Sequence, residues 1–345
     1  MILLYGAYGY TGALVARRAA ATGVPLVLAG RNLAPLEVLA AELGYEARAF
    51  AVGDDPQAVR AALAGIRVVL NCAGPFSSTA VPLANHCLQA GVHYLDITGE
   101  IQVFEDLLRL DAPARSAGCT LLPGAGFDVV PSDCLARYVA GRLPGAHRLV
   151  LAFETSSRAS RGTALTALGT SGAGWVRRDG ALAKVPLAHR TIRVELGRGL
   201  RTAVGIPWGD VATAFYSTAI PNIETFVVLP FGARLALPAV RALALAPVRT
   251  FVAKRVRAAR PGPSARQRAR GWARLWAEAS APDGRRVCAR LETPEPYEFT
   301  SWTALALALR AHEGALPPGF QTPSSAQGAD YVLSFPDVRR EDVPA

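Results

Sequence analysis

Three glycines near the start of the chain could bring its backbone against a phosphate. Gly6, Gly9 and Gly12 stand three residues apart, between an apolar run and a helical pattern. Glycine lets the backbone approach a pyrophosphate, and the N–H groups and dipole at the start of a helix favour negative charge. The spacing departs from G-x-G-x-x-G, but its strand–turn–helix context is that of dinucleotide binding, with a purely structural turn as the alternative. The predicted cofactor contacts in this turn are Gly6, Tyr8, Gly9, Tyr10, Thr11 and Gly12.

The end of the second apolar run indicates which nucleotide the turn would hold. Where NAD-binding domains usually carry Asp or Glu for the ribose hydroxyls, this chain has Ala29-Gly30-Arg31. An arginine there predicts the 2′-phosphate of NADP(H), and an arginine on a solvated surface is the alternative. Asp54, after the third strand, is a candidate acceptor for the adenine amino group or a helix cap before Pro56.

Three later strand ends reach the same predicted sheet edge, where the nicotinamide half of the cofactor is expected. The loop after the fourth strand is predicted to line the hydride-transfer site through Cys72, Ala73, Gly74, Pro75 and Phe76. The candidate catalytic residues, for substrate positioning or proton transfer, are Tyr94, Asp96, Glu100 and Asp128. Groups that only cap helices or support their neighbours look the same in sequence, so that alternative stays open.

Several familiar chemistries lack their residues in this chain. Short-chain reductases with a similar glycine turn use a Tyr-x-x-x-Lys pair. Here the only lysines are Lys184 and Lys254, and Gly180 and Thr250 stand four residues before them. The chain also has no G-x-S-x-G elbow and no P-loop lysine. Any hydride transfer is therefore expected to depend on positioning and on carboxylates or tyrosines.

The five cysteines are widely spaced, with no C-x-x-C pair and no Cys/His cluster at zinc spacing. This pattern predicts reduced thiols, no metal site and a cytoplasmic location. No charged leader precedes the first apolar run, so a signal peptide is not expected.

Short apolar runs alternate with helical patterns through the first 122 residues, which predicts an open, doubly wound Rossmann sheet. The predicted strands are 1–5, 25–29, 47–52, 68–71, 92–96 and 120–122. The predicted helices are 12–22, 33–43, 56–64, 79–90 and 102–117. The first part of the chain is therefore expected to form an α/β dinucleotide-binding domain.

After Gly126 the pattern changes to a helix over 131–142 and longer alternating segments, which predict a mixed α+β domain. The predicted strands there are 148–155, 191–195, 202–206, 212–217, 225–229 and the hairpin of 272–279 with 286–292. A last helix over 300–311 is expected to return to the first domain. The predicted domains are an NADP-binding Rossmann domain over 1–126, a substrate or dimerisation domain over 127–298 and a C-terminal segment over 299–345 that packs back on the Rossmann domain.

The charge of the chain is uneven. The net charge is +10; residues 1–120 hold eight arginines and ten acidic residues, which leaves +12 for the remainder. This asymmetry favours anionic partners or is a solvated arginine-rich face. Residues 234–260 are apolar and rich in arginine, which predicts a kinked amphipathic helix. This helix is expected to contact either membrane lipid at the bilayer surface or a lipid-like small-molecule substrate. The alternative is a helix that covers the core or forms a homodimer interface. No recognition module accompanies the arginines, so nucleic acid is not an expected partner.

Taken in order, these motifs resemble the saccharopine dehydrogenase family, and within it the trans-acting enoyl reductase-like branch. The segments that carry the resemblance are 6–12, 29–31, 71–76, 94–100 and 126–133, with 160–164, 206–210, 220–224 and 322–325 in the second half. The resemblance implies an N-terminal NADP-binding Rossmann domain, a mixed second domain, a C-terminal helix that returns to the first, and a reductase. It leaves the substrate open between amino-acid imines, such as saccharopine, and lipid or polyketide intermediates.

The leading hypothesis is an NADPH-dependent oxidoreductase that delivers hydride to an unsaturated or carbonyl group of a hydrophobic, lipid-like or acyl substrate. One alternative is an amino-acid imine reductase or dehydrogenase. The other is a non-catalytic NADP-binding sensor or scaffold, associated with a membrane through residues 234–260.

Overall fold

The computed structural model describes residues 1–169, 174–229 and 246–344. The chain forms two compact units, one of Met1–Val130 with Tyr297–Gln327 and one of Pro131–Pro296 with Gly328–Ala345. The strands are β1 (Ile2–Tyr5), β2 (Leu26–Gly30), β3 (Glu46–Ala49), β4 (Val68–Asn71), β5 (His93–Asp96), β6 (Thr120–Leu122), β7 (Arg148–Thr155), β8 (Gly174–Arg178), β9 (Ala181–Val185), β10 (Thr191–Glu195), β11 (Leu200–Gly205), β12 (Asn222–Val228), β13 (Trp272–Ser280), β14 (Arg286–Pro294), β15 (Gly319–Phe320) and β16 (Arg339–Val343).

The helices alternate with the strands in the first unit and are more scattered in the second. They are α1 (Tyr10–Ala21), α2 (Leu33–Leu43), α3 (Pro56–Ala62), α4 (Phe76–Gln89), α5 (Ile101–Leu108), α6 (Asp111–Ser116), α7 (Val130–Gly141), α8 (Arg161–Gly169), α9 (Asp210–Thr218), α10 (Ala246–Ala258), α11 (Ala265–Ala269), α12 (Pro296–His312), α13 (Pro323–Gln327) and a 3₁₀ turn over Tyr331–Ser334.

The first unit is built on a parallel sheet in the order β15-β6-β5-β4-β1-β2-β3. All residues of β1 and β4 are buried, as expected for central strands covered by helices on both faces. The edge strand β3 is polar and largely exposed. The order reverses between β1 and β4, so the loops that follow these two strands diverge at the carboxyl edge, the usual place for a nucleotide. The predicted Rossmann fold is confirmed.

The second unit is built on a mixed sheet. Its main path runs β10-β11-β12-β7-β13-β14-β16, with β7 and β12 parallel and the other pairs antiparallel. Among the described residues, the hairpin of β8 and β9 joins this sheet through a bridge between Arg177 and Ile223. The predicted mixed second domain and the predicted β13–β14 hairpin are both present.

Residues 212–217, predicted as a strand, form most of helix α9, and that prediction is wrong. Alternating β-branched and aromatic residues favoured a strand, but Asp210 in the first turn suits the helix dipole and the alanines fit a helix. The predicted helix over 102–117 is divided into α5 and α6. Pro113 explains the division, because its ring lacks an N–H and collides with the carbonyl four residues earlier in a continuous helix.

The C-terminal part of the chain is shared between the two units. Helix α12 returns to the first unit, as predicted, and β15 extends the parallel sheet there. Residues 339–343, however, form β16, which pairs with β14 in the second sheet. The stretch 299–345 is therefore not one segment, because its last strand takes its hydrogen-bond partners from the other unit.

Of the apolar segment predicted over 234–260, residues 234–245 lie outside the described residues. The rest contains α10, which packs on α8 within the second unit. Phe251 is 59% exposed on α10. None of the described helices has the length and apolar character that crossing a membrane requires.

Candidate functional site

The turn between β1 and α1 has room only for glycine at two of its positions. Gly6 has a φ of +79°, and a Cβ added there would lie 2.8 Å from the Cβ and N atoms of Ala73. A Cβ at Gly12 would overlap the carbonyl oxygen of Gly6. The N–H groups of Gly6 and Ala7 donate to the carbonyl of Ala29, at 2.8 and 3.1 Å. The turn is therefore held by β2 and pressed against the loop that follows β4.

Helix α1 begins at this turn with its first N–H groups uncapped by a side chain. Gly9 is the N-cap, and the first turn contains no acidic residue. Amides at such a position, with the helix dipole behind them, suit an anion. Tyr8, Tyr10 and Thr11 are half-buried around the turn, and the Tyr10 ring packs edge-on against Tyr297 with 5.1 Å between centroids. A cradle that a Cβ would fill, at the start of a helix whose first turn has no acidic residue, fits a pyrophosphate.

Four polar side chains gather at the ends of β1, β2 and β3. Burial raises the pKa of Tyr5; the nearby Arg31 opposes this shift, while Tyr8 and Asp54 add to it, so all three act on the Tyr5 hydroxyl. That hydroxyl donates to the carbonyl of Phe50 at 3.2 Å. Arg31 is exposed and forms no salt bridge with any residue that the structure describes. A guanidinium without a carboxylate partner fits a phosphate at this end of the site.

Asp54 and Asp55 have separate tasks. The Asp54 carboxylate accepts a hydrogen bond from the N–H of Ala51 at 2.7 Å and closes a turn after β3. Asp55 is the N-cap of α3, where its carboxylate accepts from the N–H of Gln57 at 2.8 Å. The helix-cap alternative for Asp54 is therefore wrong, and its contact with adenine stays a prediction.

The loop over 72–76 is fixed by its own backbone and two polar side chains. The N–H of Cys72 donates to the Tyr5 carbonyl at 2.8 Å. Asn71 accepts from the N–H of Ala73 at 2.9 Å, and the Thr79 hydroxyl donates to the Ala73 carbonyl at 2.7 Å. Sequence reasoning did not identify Asn71 and Thr79 as site residues; a polar residue at the end of a buried strand was the only signal for Asn71.

Glu100 caps helix α4 from a distance in the chain. Its two carboxylate oxygens accept from the N–H groups of Phe76 and Ser77, at 2.8 and 3.0 Å. Pro75, the N-cap, provides no side-chain acceptor, and the Gly74–Pro75 peptide is cis. A carboxylate at a helix N-terminus is favoured by both the free amides and the dipole. Glu100 is thus a positioning residue for the loop, not a group available for proton transfer.

Tyr94 and Asp96 form a buried network under the same edge. The Tyr94 hydroxyl donates to Asp96 Oδ2 at 2.8 Å and accepts from Asn71 Nδ2 at 3.1 Å. Asp96 Oδ1 accepts from the N–H groups of Thr98 and Gly124, at 2.9 and 3.1 Å. Burial raises the pKa of Asp96 to about 6 and also raises the pKa of Tyr94. Both side chains are fully enclosed, so they tie β4, β5 and the loop after β6 together.

Asp128 differs from the other three catalytic candidates because its side chain is partly exposed. Its Oδ2 lies 3.0 Å from the position of a Cβ on Gly99, so the loops after β5 and β6 touch here. Burial raises the pKa of Asp128 to about 6. The preceding residue, Phe127, is anchored through its N–H to the Thr300 hydroxyl at 3.0 Å.

Within the described ranges, no group of three or more His, Cys, Asp or Glu side chains is arranged to hold a metal ion. The site thus consists of the glycine turn, Arg31 and its neighbours, and the loop over 72–76, and Asp128 is the one partly exposed member of the four catalytic candidates.

Residues 2–122 match the family model described as the saccharopine dehydrogenase NADP binding domain. A putative trans-acting enoyl reductase of Mycobacterium tuberculosis is 33% identical over 157 residues, which are 43% of this chain and 38% of that protein. A trans-acting enoyl reductase of Mycobacterium bovis is 34% identical over 139 residues, which are 38% of this chain and 33% of that protein. The chain therefore matches much less than two thirds of either relative's length.

Two solved structures share the fold at low sequence identity. Saccharopine dehydrogenase (L-Glu forming) of Saccharomyces cerevisiae has a TM-score of 0.69 at 12% identity, covering 99% of both chains. Homospermidine synthase of Legionella pneumophila, solved in complex with NAD, has a TM-score of 0.72 at 11% identity, covering 99% of this chain and 91% of that one. At such identities the likeness concerns the fold alone.

Proposed function

We propose that this chain, whose residues 2–122 match the family model of the saccharopine dehydrogenase NADP binding domain, is an NADPH-dependent oxidoreductase. It transfers hydride to an unsaturated or carbonyl group of a hydrophobic acyl or lipid-like substrate. The observation that carries the proposal is the pairing of the glycine cradle with Arg31, at a strand end that has no acidic residue. This pairing favours a nucleotide with a 2′-phosphate.

Each part of the site has a task in this proposal. The cradle of Gly6 and Gly12 binds the pyrophosphate through backbone amides, and Arg31 pairs with the 2′-phosphate. When bound, NADPH supplies the hydride. The loop over 72–76 borders the nicotinamide half and is kept in place by Glu100. Asp128 positions the substrate or handles its proton, since its carboxyl is partly exposed and its pKa of about 6 allows both protonation states near neutral pH.

The substrate class rests on less direct support. Relatives matched over a third or more of this chain are named trans-acting enoyl reductases. That name supports an enoyl group as the hydride acceptor. The apolar, basic composition of residues 225–277, which contain eleven Arg or Lys and no Asp or Glu, supports a hydrophobic substrate with an anionic part.

We also propose that helix α10 contacts an anionic lipid surface. The exposed Phe251 lies beside the Arg255 guanidinium, 5.3 Å from its ring centroid, and Lys254 and Arg257 are exposed on the same helix. An aromatic side chain surrounded by cations, without acidic neighbours in sequence, is typical of interfacial helices. Such a contact would bring the enzyme to a lipid-like substrate.

Arg31→Ala tests the cofactor assignment. Loss of a charge-assisted contact is expected to weaken NADPH binding about 10- to 100-fold, since such bonds contribute roughly 1.5–3 kcal/mol. NADH binding should change little, because NADH has no 2′-phosphate. Titration of the purified full chain with each nucleotide measures both affinities. Arg60→Ala, at another exposed arginine of the first unit, is the control. Equal losses for NADPH and NADH in Arg31→Ala would contradict the assignment.

A substrate panel tests the activity. NADPH oxidation by the full chain should occur with an enoyl thioester or a ketone that has a long acyl chain. Turnover of amino-acid imines instead would favour an imine reductase. Tight NADPH binding without oxidation by any member of the panel would favour a non-catalytic sensor or scaffold.

A further inference from the structure

The ring of Tyr8 lies directly on the last residue of β2. A Cβ added to Gly30 would come 2.7 Å from Cε1 of Tyr8, 3.4 Å from Cδ1 and 3.5 Å from Cζ. Carbon atoms that are not bonded to each other normally stay about 3.5–4.0 Å apart. Any residue other than glycine at position 30 therefore requires the ring or the strand to move.

The strand has little freedom to move. Gly30 pairs with Ala49 in β3, and its carbonyl accepts from the N–H of Phe50 at 3.1 Å. On the other side, the carbonyl of Ala29 accepts two amides from the glycine turn. The backbone at Gly30 is buried. It is hydrogen-bonded on one side to Phe50 after β3 and, through Ala29, on the other side to the glycine turn. The ring of Tyr8 is thus the part that must yield to a side chain.

Position 30 ends the second strand, where this fold contacts the ribose of the adenosine half. Dinucleotide sites that take NAD carry an acidic side chain at the end of the second strand, where it binds the ribose 2′-hydroxyl. Here the ring of Tyr8 occupies the space into which such a side chain would extend from Gly30. Arg31 is the charged residue directly after β2. Both Arg31 and Tyr8 act electrostatically on the Tyr5 hydroxyl.

We propose that Tyr8 is a specificity-determining residue of the nucleotide site: an acidic side chain at position 30 would have to displace its ring, and the packed ring thereby favours a 2′-phosphate at the strand end. This inference rests on the proposed binding of NADP(H). It concerns the adenosine end of the ligand and requires no reaction step. The role belongs to the ring and not to the phenol hydroxyl.

A double-mutant cycle on the full chain tests the proposal. Calorimetry would measure binding of NADP⁺, NAD⁺ and the fragments 2′,5′-ADP and 5′-AMP to Gly30→Asp, Tyr8→Ala and the double variant, with Arg31 retained. Gly30→Asp alone should lose thermal stability without any gain in NAD⁺ affinity. The double variant should bind NAD⁺ and 5′-AMP about tenfold more tightly than Tyr8→Ala, through the new carboxylate–ribose hydrogen bonds. It should also bind NADP⁺ about tenfold more weakly, since the carboxylate repels the phosphate.

Two further variants separate steric exclusion from other effects. Tyr8→Phe keeps the ring, so Gly30→Asp combined with Tyr8→Phe should show no gain in NAD⁺ affinity over Tyr8→Phe alone, unlike Gly30→Asp in the Tyr8→Ala background. Gly30→Ala should be less stable than the wild type and should recover when combined with Tyr8→Ala. If Gly30→Asp does not fold, the Tyr8→Ala background carries the test. Equal NAD⁺ affinity with Asp and with Ala at position 30 in that background would overturn the proposal.

The outcomes also separate this inference from the proposed function. If the wild type binds NADP⁺ strongly but the effects of the substitutions at positions 8 and 30 on NAD⁺ affinity are additive, the role of Tyr8 is overturned and the proposed function is not. Failure of the wild type to bind either dinucleotide would overturn both proposals.

Discussion

At the scale of single residues, the Asp96 carboxylate lies inside the first unit and accepts hydrogen bonds from Tyr94, Thr98 and Gly124. Each of these donors favours the charged form, while burial disfavours it, and burial is the larger effect. The same environment raises the pKa of the neighbouring Cys72 thiol. A carboxyl group enclosed in this way stabilises the arrangement of loops rather than exchanging protons with a substrate.

The raised pKa of Asp96 predicts how stability depends on pH. The pKa is about 6 in the folded chain against an ordinary value of 3.8, so the folded state binds more protons between these values. Stability from this group is fully present below pH 3.8 and is lost as pH rises through 6, with a slope of at most about 1.4 kcal/mol per pH unit. Asp96→Asn should flatten the dependence of the unfolding free energy on pH in this range.

Urea unfolding at several pH values measures that slope. Asp55→Asn is the control, because Asp55 is an exposed N-cap and asparagine caps helices equally well. Asp96→Asn should lose more of the slope than this variant of an exposed residue does. An Asp96→Asn slope indistinguishable from the wild type would show that Asp96 does not titrate in this window.

At the scale of elements, the glycine turn shows a helix preference for alanine that a steric contact within the same turn overrides. Gly12 lies in the first turn of α1, where alanine would favour the helix by about 1 kcal/mol. A Cβ there would overlap the Gly6 carbonyl, however, and such overpacking costs about 1–3 kcal/mol. The clash should prevail, because the neighbouring atom belongs to a backbone that β2 holds in place.

Gly12→Ala should therefore destabilise the first unit and weaken NADPH binding by about tenfold or more, since the turn must open to relieve the clash. Chemical unfolding and nucleotide titration measure the two effects. Gly53→Ala is the matched control and should change neither quantity much, because a Cβ at Gly53 has no neighbour within 4 Å. Comparable effects of the two substitutions would mean that the turn is not as confined as its geometry indicates.

At the scale of the whole molecule, charge is separated along the chain. The net charge of +10 arises after residue 120, and the acid-free stretch over 225–277 contributes much of it. Exposed cations around an exposed aromatic ring attract anionic lipids by about 1 kcal/mol for each Lys or Arg near the surface. That attraction weakens as salt screens it.

The full chain should sediment with vesicles that contain anionic phospholipid, less so at high salt, and little with zwitterionic vesicles. Phe251→Ser should reduce this binding severalfold, because burial of the ring adds to the electrostatic attraction. Val38→Ser is the control: Val38 is 71% exposed on α2 in the first unit, so a general loss of surface hydrophobicity would affect both variants. Equal reductions in the two variants would argue against α10 as the contact.

Much of the first unit was predictable from the sequence, because its information is local. Parallel strands that are buried on both faces are continuous apolar runs, and the amphipathic helices between them follow their own periodicity. Gly6, Gly12 and Arg31 lie next to the strands that position them, so their relation to the sheet edge could be inferred without knowledge of distant contacts. In the second unit, strands β8, β9 and β16 were not predicted, because short, polar or exposed strands depend on partners far away in sequence.

By itself, the sequence determined the Rossmann sheet and the glycine turn, and it predicted a preference for NADP(H). Only the tertiary structure decided what Tyr94, Asp96 and Glu100 do, since a carboxylate that caps a helix 24 residues away looks the same in sequence as one that meets a substrate. It also decided that the space beside Gly30 is filled by the ring of Tyr8. The physical reason is that backbone conformation follows local preference, whereas the charge state and accessibility of a side chain follow from the groups that surround it in space.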